Sequence, residues 1–178
     1  MRVVSPVVIA ILLMASTSCS SGGPNQKETI AGVRNFTVVD ATVGCAGATE
    51  VSAIPAVAAR GYKSIVNLRL TAEPGAAIEE SRAAAAKAGL TFIHLPFNSA
   101  APDPAVADAF ITAVTNAANQ PVFINCGSAN RVGALWLAKR LVVDKWARAR
   151  AVDEAKLIGL SSGALEKFAV DYSAARRP

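Results

Sequence analysis

Past residue 32 the chain alternates between short apolar runs of strand length and longer stretches with apolar residues every third or fourth position. VRNFTVVD (33–40) reads as a strand from its β-branched and aromatic content. VGCAGATE (43–50) reads as a glycine-rich turn. SAIPAVAARG (52–61) has a Ser52 cap, a first-turn Pro55 and a terminal Gly61, the punctuation of a short helix. KSIVNL (63–68) is an apolar strand, RLTAEPG (69–75) a loop, AAIEESRAAAAKAG (76–89) a helix, and LTFIHL (90–95) a further strand. After the loop PFNSAAPDP (96–104), residues 105–118 set Val106, Phe110, Ala113, Val114 and Ala117 on one helical face. PVFIN then forms a strand, a short turn follows Cys126, and RVGALWLAKRLVV continues as a helix. WARARAVDEAKLIG and GALEKFAVDY add two more helical stretches.

Strand and helix alternating three times in sequence predict an α/β fold with a mainly parallel central sheet flanked by helices. Strands covered on both faces should be apolar on both sides, and IVNL, FIHL and VFIN come close to that. Ligand sites of such sheets lie beyond the carboxyl ends of the strands. Three loops meet that condition: Arg69 to Gly75, Pro96 to Pro104, and Cys126 to Arg131.

The amino-terminal stretch follows a different pattern. Arg2 precedes an apolar run from Val7 to Ala15, too short to span a bilayer and laid out like a secretory signal. Ser16, Thr17 and Ser18 lead into Cys19, and Ser20, Ser21, Gly22 and Gly23 follow. This resembles a bacterial lipoprotein signal, with Ser16 where leucine is usual. The expected organisation is a signal peptide at 1–19 ending on a lipidated Cys19, a flexible tether at 20–31, and one domain at 32–175. The protein is expected to be exported, periplasmic or membrane-anchored as a lipoprotein. A cleaved peptide that discards Cys19 is the alternative.

Composition narrows the function. Hydrophobic residues make up 52% of the 178, enough for a full core, although many are alanine. The net charge of +5 is spread over scattered cations with no aromatic-interleaved stripe, so nucleic acid is not an expected partner. One histidine and no zinc-type cysteine spacing leave no common metal site, and no cofactor is expected. Apart from Cys19 the cysteines are Cys45 and Cys126, a pair that in an exported protein can form a disulfide or stay free.

The candidate chemistry lies in CGSANR (126–131). Small side chains let the backbone N–H groups of this turn curl inward as an anion nest, and the next helix aims its positive end at the same point. A thiol there is nudged toward the thiolate by amides, helix terminus and guanidinium together. With NFTVVD, GYKSIVNLRLTAEPG, GLTFIHLPF and PVFINCGSANRVGALW, most of residues 33–140 resembles the phosphatase-like domain of the bacterial β-lactamase-hydrolase-like proteins. That family lies within the cysteine-dependent tyrosine and dual-specificity phosphatase superfamily. The resemblance implies a three-layer, dual-specificity-phosphatase-like fold. It implies Cys126 as phosphoryl-accepting nucleophile and Arg131 as clamp on the phosphate oxygens, with Gly127, Ser128, Ala129 and Asn130 forming the cradle. The substrate implied is a phosphorylated protein or a small phosphate ester. Asn125 stands where the superfamily usually has histidine, and Ala129 where glycine is usual. Four residues separate Cys126 from Arg131, a loop length also seen in rhodanese-like sulfurtransferases, so a Cys126 persulfide and a non-catalytic anion-binding module remain alternatives.

A phosphatase also needs a proton for the leaving oxygen. Asp103 is the acidic candidate, and with Pro104 behind it the same residue is a good helix cap. His94 can pair with Cys126 or bond a backbone group. Arg69 and Glu73 can line the pocket rim or brace their own loop.

Overall fold

A computed structural model describes residues 25–176. The proposed signal peptide and Cys19 lie outside the described residues. Four parallel strands form the centre: β3 (Val43–Ala46), β4 (Ser64–Asn67), β5 (Thr91–His94) and β6 (Val122–Asn125). With β1 (Gln26–Lys27) and β2 (Thr37–Asp40) they make a six-stranded sheet in the order β1-β2-β3-β6-β4-β5. The first two pairings are antiparallel and the other three parallel.

The period-two alternation of side chains divides the strands between two cores. Ile65 and Phe123 face α1 (Ile54–Ala59) and α2 (Ile78–Lys87), packing with Ile54, Val57 and Ala85. Val66, Val122 and Ile124 face the opposite layer, which holds α3 (Pro104–Thr115), α4 (Asn130–Val142), α5 (Arg148–Ile158) and α6 (Gly163–Ala174). Helix α4 is the centre of that layer, buried without a break from Val132 to Ala138. A helix apolar all round must be covered all round, and α5 and α6 supply the cover.

Two expectations need correction. The glycine-rich turn at 43–50 is in part β3, fully buried between β2 and β6. Glycine is poor in strands, which hid the element. Gly44 is required there because a Cβ would sit 2.1 Å from the Tyr62 hydroxyl, one of three rings packed with Phe36 and Phe123. The tether at 20–31 also runs too far: Gln26 and Lys27 pair with β2, and Ile30 is buried. A two-residue strand carries no periodic signal to read in advance.

Candidate active site

The carboxyl ends of β4, β5 and β6 carry the three loops named from the sequence, and these surround one cavity of about 340 Å³. Its lining comprises Leu70 and Glu73 from the first loop, Asn98, Ser99 and Ala100 from the second, and Ser128, Asn130 and Arg131 from the third.

The third loop is pinned at both edges. The Cys126 amide donates to Ala46 O at 3.3 Å, and Gly127 O accepts from the Ala48 amide at 3.0 Å, so the loop after β3 supports the turn after β6. Ala129 is the N-cap of α4 in a left-handed conformation, φ 75° and ψ −1°, where glycine is the ordinary residue. Its amide donates to Cys126 Sγ at 3.2 Å. The Ser128 carbonyl belongs to the same peptide plane and must point the other way; Asn35 Nδ2 holds it at 3.2 Å. Asn35, itself at φ 52°, also donates to Ile158 O at 3.1 Å. Asn35 thus fixes from outside which way the amide beside the sulfur faces. Among the described residues no acceptor takes the amides of Gly127, Ser128, Asn130 or Arg131, as a turn leading into a helix N-terminus allows. Cys126 itself has no exposed surface.

Arg131 closes the turn with one end of its fork occupied. Nη1 donates to Glu73 Oε1 at 2.5 Å, Leu68 O at 3.1 Å and Phe97 O at 3.2 Å, and Nη2 donates to Glu73 Oε2 at 2.8 Å. A guanidinium has five N–H donors, so the Nε–Nη2 edge remains for an anion. Burial disfavours the Arg131 charge, but Glu73, with the Cys126 sulfur beside it, more than compensates and raises the pKa. Glu73 is correspondingly held down to about 2, chiefly by its hydrogen bonds from Arg131. Glu73 also accepts from Arg69 Nε at 3.2 Å and from the Leu70 amide at 2.9 Å. Arg69 in turn donates to the carbonyls of Pro74 and Gly75, both at 2.6 Å, so the two arginines and one carboxylate brace the first loop against the third.

Several sequence candidates fall elsewhere. Asp103 caps α3, its Oδ1 accepting from the Ala105 amide at 2.8 Å, and it does not line the cavity. Its short side chain is spent on the helix terminus. His94 Nε2 lies 2.8 Å from Arg69 O, a backbone partner. Cys45 and Cys126 are both free and buried. Burial pushes the Cys45 thiol well up, with Glu154 and Asp40 adding to the effect, so it stays protonated. Asn125 is buried on the α1–α2 side with Oδ1 unpartnered. Asn130 lines the cavity, and its Oδ1 accepts from the amides of Ser161 and Ser162 at 2.9 and 3.2 Å. Two parts of the site had no local signal: Asn35, which is 93 residues from Ser128, and the pairing of Glu73 with Arg131, 58 residues away.

A cysteine at the end of a central strand, an amide-lined turn and a closing arginine, set in this sheet order, define the fold of the cysteine-dependent tyrosine and dual-specificity phosphatases. A candidate phosphatase from Shewanella putrefaciens CN-32 superposes with a TM-score of 0.70 at 15% identity, covering 84% of this chain and 97% of its own. TpbA from P. aeruginosa, as a cysteine-to-serine variant in complex with phosphotyrosine, gives 0.64 at 18% identity, covering 86% and 90%. The core catalytic domain of the PP-IP phosphatase SIW14 from S. cerevisiae gives 0.66 at 17% identity, covering 80% and 87%. Residues 35–142 match the β-lactamase hydrolase-like protein, phosphatase-like domain, and the chain belongs to that family. No curated protein matches the sequence.

Proposed function

We propose that the protein is an exported, lipid-anchored, cysteine-dependent phosphatase acting on phosphate monoesters, with Cys126 as nucleophile and Arg131 as the phosphate clamp. The observation that carries this is the unspent donor set in the turn that holds the cysteine sulfur: four loop amides without an acceptor among the described residues, and the Nε–Nη2 edge of Arg131. A phosphoryl group bound there has its equatorial oxygens met by fixed donors, which stabilise the charge of the transition state. The Cys126 thiolate attacks phosphorus, and the S–P bond forms as the bond to the ester oxygen breaks. That electron pair leaves on the ester oxygen, which takes its proton from water because Asp103 is committed to its helix. Water then attacks the phosphocysteine, the S–P bond breaks toward sulfur, and inorganic phosphate departs. Because Cys126 has no exposed surface, attack also requires the loop to open a path from the cavity to the sulfur.

Hydrolysis of p-nitrophenyl phosphate tests the reading. Cys126→Ser abolishes turnover, and Arg131→Lys, which loses the planar fork, lowers kcat by about 100-fold. Turnover that survives Cys126→Ser refutes the assignment. The buried sulfur, with loop amides and an Arg131 edge left open beside it, also suits a second reading, an anion-binding module. Tight vanadate binding without turnover identifies it, and cyanide-labile sulfur on Cys126 would mark the sulfurtransferase alternative.

A further inference from the structure

The wall of the cavity has hydrogen-bond donors to spare, while its dedicated acceptors are taken. Its lining carries one carboxylate, Glu73. A carboxylate has about four acceptor positions, and those of Glu73 are filled: Oε1 by Arg131 Nη1 and the Leu70 amide, Oε2 by Arg131 Nη2 and Arg69 Nε. Two asparagines on different loops add to the imbalance. Asn98, in the loop after β5, spends Oδ1 on the Ala100 amide at 2.9 Å. Asn130, at the start of α4, spends Oδ1 on the amides of Ser161 and Ser162 at 2.9 and 3.2 Å. A carboxamide whose oxygen is held by N–H groups has its amino group left to offer. Among the described residues neither Nδ2 has an acceptor, and both side chains line the cavity. The hydroxyls of Ser99 and Ser128, also on the lining, can give or accept.

Charge on the lining is balanced. Arg131 is its one cation and is paired with Glu73. The surplus beyond the phosphate clamp is therefore one of neutral donors. A neutral acceptor, such as a carbonyl oxygen, meets it best. A second anion would find no free counter-charge there, and an ammonium would bring N–H groups to a wall that already has too many.

We propose that Asn98 and Asn130 determine specificity by donating to carbonyl oxygens in the organic part of a phosphate monoester, the chemistry that surrounds a phosphorylated side chain in a peptide. This rests on the phosphatase reading and narrows its substrate. The test compares kcat/KM of the full chain on p-nitrophenyl phosphate, N-acetyl-phosphoserine N-methylamide, phosphoethanolamine and phosphocholine. The parent favours the acetylated phosphoserine amide over phosphoethanolamine by about tenfold or more. Asn98→Asp and Asn130→Asp each keep an oxygen for the same backbone amides and turn the donor into an acceptor. Each variant moves that ratio toward phosphoethanolamine by about tenfold. Phosphocholine, which carries the same charge without an ammonium N–H, does not share the gain. Hydrolysis of p-nitrophenyl phosphate separates the two readings. A parent that turns over none of these compounds sinks the phosphatase reading and this proposal with it. A parent that hydrolyses p-nitrophenyl phosphate but does not prefer the acetylated amide overturns this proposal alone. So do aspartate variants that leave the ratio in place, or an equal gain for phosphocholine. Asn98→Asp, in an exposed loop, decides the matter should Asn130→Asp fail to fold.

Discussion

At Ala129 a single backbone angle separates two costs that normally go together. Replacing a buried alanine with glycine loses about 0.8 kcal/mol of methyl burial and roughly 0.5–1 kcal/mol through the looser unfolded chain. At φ 75° those losses are offset by about 1–2 kcal/mol of relieved left-handed strain. Ala129→Gly is therefore expected within about 0.5 kcal/mol of neutral, while Ala134→Gly, equally buried inside α4, costs about 1.5–2 kcal/mol. Chemical denaturation of the pair checks this; equal losses would contradict the left-handed loop. Glu73 supplies the acid-side counterpart. Its folded pKa is depressed from 4.5 to about 2, with Arg131 the main cause. Its contribution is thus complete above pH 4.5 and disappears as pH falls through about 2. Stability should decline across that window in the parent and more gently in Glu73→Gln, and parallel acid limbs would contradict the pairing. The Ala129 position could be suspected from the glycine usual there, but the role of Glu73 was not open to a local reading. Glu73 sits four residues from Arg69 and so reads as that arginine's partner, while the bond that lowers its pKa crosses to a different loop.

Among the elements, α4 links the site to the rest of the domain: it begins in the cysteine loop and is packed on every side. It meets α5 closely at Gly133, where an added Cβ would lie 2.7 Å from Ala155 O and 2.9 Å from Leu160 Cβ. The obstacle includes backbone, so Gly133→Ala should cost about 2–3 kcal/mol in thermal or chemical unfolding, and a neutral result would mean the helices have room to separate. Strands β4, β5 and β6 and helices α2 to α6 were legible because apolar runs and 3.6-residue periods write them directly. β3 was not, because Gly44 is chosen for the Tyr62 ring above it and not for strand propensity. β1 was not, because it is held in place by pairing with β2 alone. The site followed the same division. Its three loops could be placed from strand order, and CGSANR from its composition. What holds the loop in shape, Asn35 behind Ser128 and the carbonyls of Leu68 and Phe97 on Arg131, is tertiary and appears only when distant segments meet.

For the molecule as a whole, the strand order sets the candidate chemistry at one end of the sheet. The strand carboxyl ends bring together the three loops that line one cavity. Among the described residues no helix is long and apolar enough to cross a membrane. The proposed chemistry of the Cys126 loop has one decisive measurement: rapid quenching of the full chain during turnover of a labelled aryl phosphate, followed by mapping of the label. The account predicts a single iodine-labile phosphoryl group on the peptide containing Cys126, absent in Cys126→Ser. Label on another residue, or turnover with no covalent intermediate that persists in Cys126→Ser, would contradict it.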